Sequence, residues 1–107
     1  MPFMTKTNFQ VKHLQKILQR LKSLLLTSLS PTNRQTIQEQ LRQLDENYTN
    51  NIIDFDEYKI NSVAVLCSLR HDLSWTEQFL YRETGNFFTQ QEKFFICELS
   101  QKIAPLS

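Results

Sequence analysis

The sequence has 107 residues, of which 40% are hydrophobic and 21% charged, proportions ordinary for one globular domain. Its single glycine argues against folds that need tight hairpins or glycine-rich phosphate loops, and so favours helices. The net charge of +1 conceals a strong polarity, because the first acidic residue is Glu39. Six Lys and Arg residues precede it, whereas the remainder carries six Lys and Arg against eleven Asp and Glu residues. This asymmetry predicts a partner of opposite charge.

The two cysteines, Cys67 and Cys97, lack the spacing of a metal site and are too few for a disulfide scaffold. The opening residues show no apolar stretch of the kind that a secretory signal contains. The longest leucine run, residues 24–26, is far shorter than a membrane span. We therefore expect a reduced, cytoplasmic protein without a membrane segment.

The first predicted helix spans 8–28 and begins with a capping-box pattern, Thr7 followed by Gln10. Apolar residues recur at helical spacing from Val11 to Leu29, which predicts a buried side. A basic face is predicted from Lys12, Lys16, Arg20 and Lys22. Such a face is typical of a surface that follows a nucleic-acid backbone or meets an acidic protein. It is equally the pattern of a solvated helix side.

The second predicted helix, 31–48, has a Ser30 cap and Pro31 at its first position. Its apolar seam is narrow, which predicts an outer position. An acidic face is predicted after its midpoint from Asp45, Glu46, Asp54, Asp56 and Glu57. The spacing of these residues is similar to an EF-hand loop, but with Glu57 in the last ligand position Tyr48 falls where a ligand is needed. We therefore predict a capped turn and no metal.

Residues 41–66 resemble the bacterial effector-associated adaptor domains, small helical modules that recruit defence enzymes through contacts between like domains. The resemblance lies in Leu41 and Leu44, the run 51–58, and then Ala64 and Leu66. Asn51 stands in place of the usual glycine, and the spacing after the run is about one helical turn short. The resemblance implies an adaptor role in defence, and it does not extend to the aromatic C-terminal half.

The third predicted helix, 55–72, is capped by Asp54 and is apolar nearly all round, which predicts the buried centre of a bundle. Cys67 and His71 stand four residues apart within it, a spacing that suits a nucleophile and base or half a metal site. A third catalytic group or further ligands are missing from the pattern. We predict no catalytic residues, no cofactor and no enzymatic activity.

The last predicted helices span 75–84 and 90–103, with capping patterns that start at Ser74 and Thr89 and a stop at Gly85. Seven of the chain's aromatic residues lie between residues 75 and 95. Periodicity places Phe95 in the core. An aromatic anchor for a partner is predicted from Phe87, Phe88 and Phe94.

Together these patterns predict an all-α protein, a compact five-helix bundle with a central buried third helix, in one domain over residues 1–107. The predicted function is a small cytosolic protein–protein interaction module of adaptor, immunity or inhibitor type. The alternative is a helical small subunit of a nucleoprotein complex, which binds the nucleic-acid backbone through the basic face. The opposite charges of the two faces are also compatible with self-association.

Overall fold

The computed structural model describes residues 2–104, with side chains from residue 8 onward. All regular secondary structure in this range is α-helical, which confirms the predicted fold class. The helices are α1 (Pro2–Leu25), α2 (Pro31–Thr49), α3 (Phe55–Ser68), α4 (Leu73–Glu83) and α5 (Gln90–Lys102). Among them, none is both long enough and apolar enough to cross a membrane.

The central position of α3 is confirmed by its packing, since it contacts α1, α2 and α5, while α4 packs against α5. The helix buries residues on several sides, including the polar Ser62 and Ser68. In α2 only Ile37 is buried, as expected for an outer helix. The largest fully buried side chains come from all five helices and the loop before α5: Leu14, Leu21, Ile37, Leu66, Leu80, Phe88 and Ile96.

Three predicted helix starts are confirmed by their hydrogen bonds. The Ser30 side chain accepts from the Asn33 N–H, and the Asp54 carboxylate accepts from the Glu57 N–H at 2.8 Å. A complete capping box joins Thr89 and Glu92 at the start of α5. These bonds satisfy backbone N–H groups that have no partner inside the helix.

The predicted start of the first helix is wrong, because α1 begins at Pro2 and Thr7 lies inside it. Capping-box spacing does not distinguish a cap from a threonine within a helix. The end is also earlier than predicted, at Leu25. There the Arg34 side chain donates to the carbonyl oxygens of Leu26 and Leu29, both at 3.3 Å, and so satisfies acceptors beyond the helix end.

The boundary between α3 and α4 also differs from the prediction. The third helix ends at Ser68, and His71 adopts a φ of 49°, in the left-handed region. Asp72, rather than Ser74, then caps α4 by accepting from the Trp75 N–H at 3.1 Å. A residue in the left-handed region cannot be part of a right-handed α-helix, so the helix cannot run on to residue 72.

Candidate interaction surfaces

The predicted basic face of α1 is divided by the fold. Lys12 and Lys16 are exposed and have no acidic partner within 4 Å among the described residues. Arg20 instead pairs with Glu83 at the end of α4, with 3.2 Å between Nη2 and Oε1. Lys22 is half-buried and lines a cleft between α1 and α2. From residue 8 onward, the exposed Lys and Arg side chains of α1 without an acidic partner are therefore Lys12 and Lys16.

An exposed aromatic ring lies beside these two lysines. Phe9 is 71% exposed and stands three and seven residues before Lys12 and Lys16, so the three side chains share one side of α1. On an adjoining side, His13 stacks on Phe87 with 4.7 Å between ring centroids. This contact attaches the loop before α5 to the first helix.

The acidic residues of α2 are mainly engaged within the molecule. Asp45 accepts a hydrogen bond from the Tyr58 hydroxyl at 3.0 Å, and Tyr58 stacks on Tyr48. Burial of the phenol, followed by the nearby Asp45 carboxylate, raises the Tyr58 pKa. Glu46 pairs with Arg42 one turn earlier on the exposed side of the helix.

The acidic residues at the start of α3 are likewise mostly partnered. Asp54 caps the helix, and Asp56 lies 3.4 Å from the Lys59 ammonium. The exposed Glu57 carboxylate has no partner among the described residues. Thus four of the five carboxylates predicted as a binding face already have an intramolecular role, which weakens the charge available to a partner.

A buried lysine, which the sequence pattern did not reveal, joins α3 to α5. Lys59 is 8% exposed, and its Nζ lies 3.2 Å from Glu92 Oε2. The same ammonium lies 5.2 Å from the Phe87 ring centroid and 5.5 Å from that of Phe88. Aromatic faces and a carboxylate together compensate a desolvated cation. A lysine in a helix ordinarily indicates a solvent-exposed position, so hydrophobic periodicity does not predict this buried ion pair.

The prediction of an aromatic anchor is wrong for Phe88, and Phe87 is only partly accessible. Phe88 is 2% exposed and belongs to the core, so its ring is unavailable to a partner, while Phe87 is half-buried against His13. Phe94 is 59% exposed, as expected. Phe95, expected in the core, is 44% exposed and lies beside it, with 6.2 Å between the ring centroids.

A surface groove runs between α4 and α5 next to these rings, with a volume of about 360 Å³. Leu73 and Phe94 form apolar walls, and Cys97 is buried at its base. Glu77 and Glu98 contribute carboxylates from the two helices. The groove lining is Leu73, Glu77, Phe94, Cys97, Glu98, Gln101 and Lys102. We call this groove together with Phe95 the α4–α5 surface.

Cys67 and His71 do not form a reactive pair of thiol and imidazole. Cys67 is fully buried, and desolvation raises its pKa to about 12, which keeps it protonated. His71 lies beyond the end of α3 and is exposed, so the two are not neighbours on one helix face. Desolvation also raises the Cys97 pKa. Within residues 2–104, no group of His, Cys, Asp and Glu is arranged to hold a metal.

A second cleft, of about 480 Å³, lies between α1 and α2, and α3 forms its base. Its lining is more polar than that of the α4–α5 groove. Three glutamine side chains line it, together with Lys22, Asp45 and Tyr58. The Ser62 hydroxyl lies at its base, fully buried and without a hydrogen-bond partner among the described residues. Buried hydroxyls without a hydrogen bond are uncommon in native proteins.

Comparison with protein-family models, with curated proteins and with solved structures found no match to this chain.

Proposed function

We propose that this chain is a small cytosolic protein–protein interaction module that docks a partner on the α4–α5 surface and performs no chemistry itself. The observation that supports this most is the paired exposure of Phe94 and Phe95 beside an apolar groove. Adjacent exposed aromatic rings are typical of the residues that dominate binding energy at protein interfaces.

The apolar area of this surface is sufficient for a specific contact of modest affinity. Full burial of a phenylalanine side chain contributes about 1.5–3 kcal/mol, and both rings here still have roughly half of that area to lose. Leu73 extends the apolar area from α4, and Glu77 and Glu98 supply a polar edge. An apolar centre with a charged rim is the usual anatomy of a transient interface.

An adaptor and an inhibitor are both consistent with this surface, since each needs only a stable complementary shape. The acidic hairpin that resembles the effector-associated adaptor domains supports docking less strongly. Asp45, Asp54 and Asp56 there already hold hydrogen bonds or an ion pair within the chain. The proposal therefore places partner binding on α4 and α5 rather than on the hairpin.

The experiment compares affinity capture by the native protein with capture by the double variant Phe94→Ser/Phe95→Ser. Ile52→Ser is the matched control, because Ile52 is an exposed apolar residue in the α2–α3 loop. Circular dichroism and thermal melting verify that each variant is folded. We expect proteins retained by the native chain and the control to be lost from the double variant. Identical retention by all three would refute the proposal.

The second candidate function, binding of a nucleic-acid backbone, is favoured by Lys12 and Lys16, which are exposed and have no acidic partner in the described part of the chain. Lys12 and Lys16 are one turn apart, and Phe9 beside them offers a ring for base stacking. Fluorescence anisotropy with single- and double-stranded nucleic acid tests it at low and physiological salt. Salt-dependent binding lost in Lys12→Glu/Lys16→Glu, but kept in the control Lys102→Glu, would support it. No binding at low salt would eliminate it.

A further inference from the structure

Two exposed surfaces of this chain carry opposite charges, and each includes an exposed apolar side chain. One is the side of α1 formed by Phe9, Lys12 and Lys16, an aromatic ring followed by two cations that have no acidic partner among residues 8–104. The other is the α4–α5 groove, apolar at its centre with Glu77 and Glu98 on its two helices. We infer that α1 of one copy docks into the α4–α5 groove of a second copy. This inference rests on the proposed function and names its partner.

The spacing on α1 fits an amphipathic helix lying in a groove. Phe9 and Lys16 are seven residues apart, which is about 10 Å along a helix, and Lys12 lies between them on the same side. In recognition of this type, an apolar side chain enters the groove and flanking charges meet its edges. Phe9, exposed at 71%, is the apolar side chain available for that role.

The spacing on the groove is compatible with such a helix. Phe94 and Glu98 are one turn apart on α5, and Glu77 faces them from α4. A ring placed against Phe94, at one end of the groove, therefore leaves the following turns of α1 near the carboxylates of Glu98 and Glu77. Lys102, at the far end of the groove, is the one cation of the lining, so two negative charges face it. The net charge of the groove remains opposite to that of Lys12 and Lys16.

The contact joins two different surfaces, and every copy carries both. Such a heterologous interface adds copies head to tail until the geometry closes a ring, or else it continues to grow. An isologous dimer, in which one groove packs on another, would instead use Phe94 of both copies and no residue of α1. The two arrangements respond differently when variants are mixed.

Sedimentation velocity over a range of concentrations and salt tests the inference. We expect the native mass to rise with concentration and the association to weaken as salt increases. Phe9→Ser/Lys16→Glu, which alters α1, and Phe94→Ser, which alters the groove, should each weaken association at least about tenfold. Ile52→Ser should associate as the native chain does. Melting curves verify that all three remain folded.

The decisive sample is an equimolar mixture of the two interface variants. Each retains one intact surface, so the mixture should form dimers that do not grow, with native-like affinity for the single remaining interface. A mixture that stays monomeric while the native protein associates would overturn the inference. Native-like association of Phe9→Ser/Lys16→Glu alone would overturn it in favour of a groove-to-groove contact.

A native chain that is monomeric up to about 1 mM, the limit of weak specific contacts, would also overturn it. In that case, loss of a different captured protein on Phe94→Ser/Phe95→Ser would leave the proposed function intact. Retention of every captured protein by that double variant, together with a monomeric native chain, would refute both.

Discussion

Lys59 of α3 and Glu92 of α5 form an ion pair with 3.2 Å between Nζ and Oε2, and their side chains are only 10% and 15% exposed. The pair connects the first turn of the last helix to the N-terminal half of the central helix. It also holds Phe87 and Phe88 close to the ammonium. Loss of either charge would leave its partner largely desolvated.

Replacing Glu92 by glutamine should therefore destabilise the fold by about 1–3 kcal/mol. Glutamine still completes the capping box with Thr89, so the change isolates the charge from the cap. Urea denaturation followed by circular dichroism measures the effect. Glu39→Gln, in the exposed pair with Arg42, is the control and should leave the unfolding midpoint unchanged. Equal midpoints for both variants would contradict the role assigned to Lys59.

Phe88 and Phe94, two of the three phenylalanines predicted as an anchor, should respond differently to truncation. Phe88→Ala should cost about 3–5 kcal/mol, because it empties a core position. Phe94→Ser should change the free energy of unfolding by only about 0.5 kcal/mol, since the ring is mostly exposed. Thermal and urea unfolding of both variants provide the comparison. A comparable loss in the two would show that Phe94 also packs in the core.

The start of α4 can be located by removing each candidate cap in turn. Asp72→Ala should cost about 1 kcal/mol, because its carboxylate accepts from the Trp75 N–H. Ser74→Ala should be close to neutral, since Ser74 is exposed inside the first turn. Denaturant unfolding distinguishes the two. A larger effect at Ser74 would restore the boundary predicted from the sequence.

The unpartnered hydroxyl of Ser62 should be dispensable. Ser62→Ala is expected to raise the free energy of unfolding by about 0.5–1.5 kcal/mol, because it removes a desolvated group without a hydrogen bond. Ser100→Ala is the matched control, since its hydroxyl donates to the Cys97 carbonyl at 2.8 Å. A loss of stability in Ser62→Ala would indicate that this hydroxyl is hydrogen-bonded in solution.

Stability should decline in alkaline solution. The pKa of Cys67 is raised to about 12, and that of Tyr58 is raised as well, so the folded state holds these protons more tightly than the unfolded state. Their contribution is fully present below about pH 9 and is lost as pH rises toward 12, by at most about 1.4 kcal/mol per pH unit and group. Tyr58→Phe should flatten this decline in urea titrations from pH 7 to 11. An unchanged slope would contradict burial of the phenol.

Features that depend on neighbouring residues were predictable from the sequence. Asp54 and Thr89 bond backbone groups three residues away, so their spacing predicts both caps. The apolar circumference of the third helix likewise predicts its central position, which the packing confirms. At the α3–α4 junction, the spacing of Ser74 and Glu77 predicted the wrong cap, because the left-handed turn at His71 places Asp72 in the capping position.

Features that depend on how the helices are rotated against one another were not predictable. Helical periodicity places Phe94 and Phe95 about 100° apart, but it does not give the rotation of α5 against α3 and α4. That rotation exposes both rings. The burial of Lys59 requires a carboxylate from α5 and rings from the preceding loop, more than 25 residues later in the chain. No pattern among neighbouring residues of the sequence predicts this contact.

The central position of α3 also bears on the order of events during synthesis. Its packing partners α1 and α2 are translated before it, whereas α5 follows only after the α4 segment. Until Gln90–Lys102 has left the ribosome, the side of α3 that contacts α5 remains uncovered on the nascent chain. Exposed apolar surface in an incomplete chain is what chaperones bind and what promotes aggregation. Folding of the bundle can therefore be completed only after α5 has emerged from the ribosome.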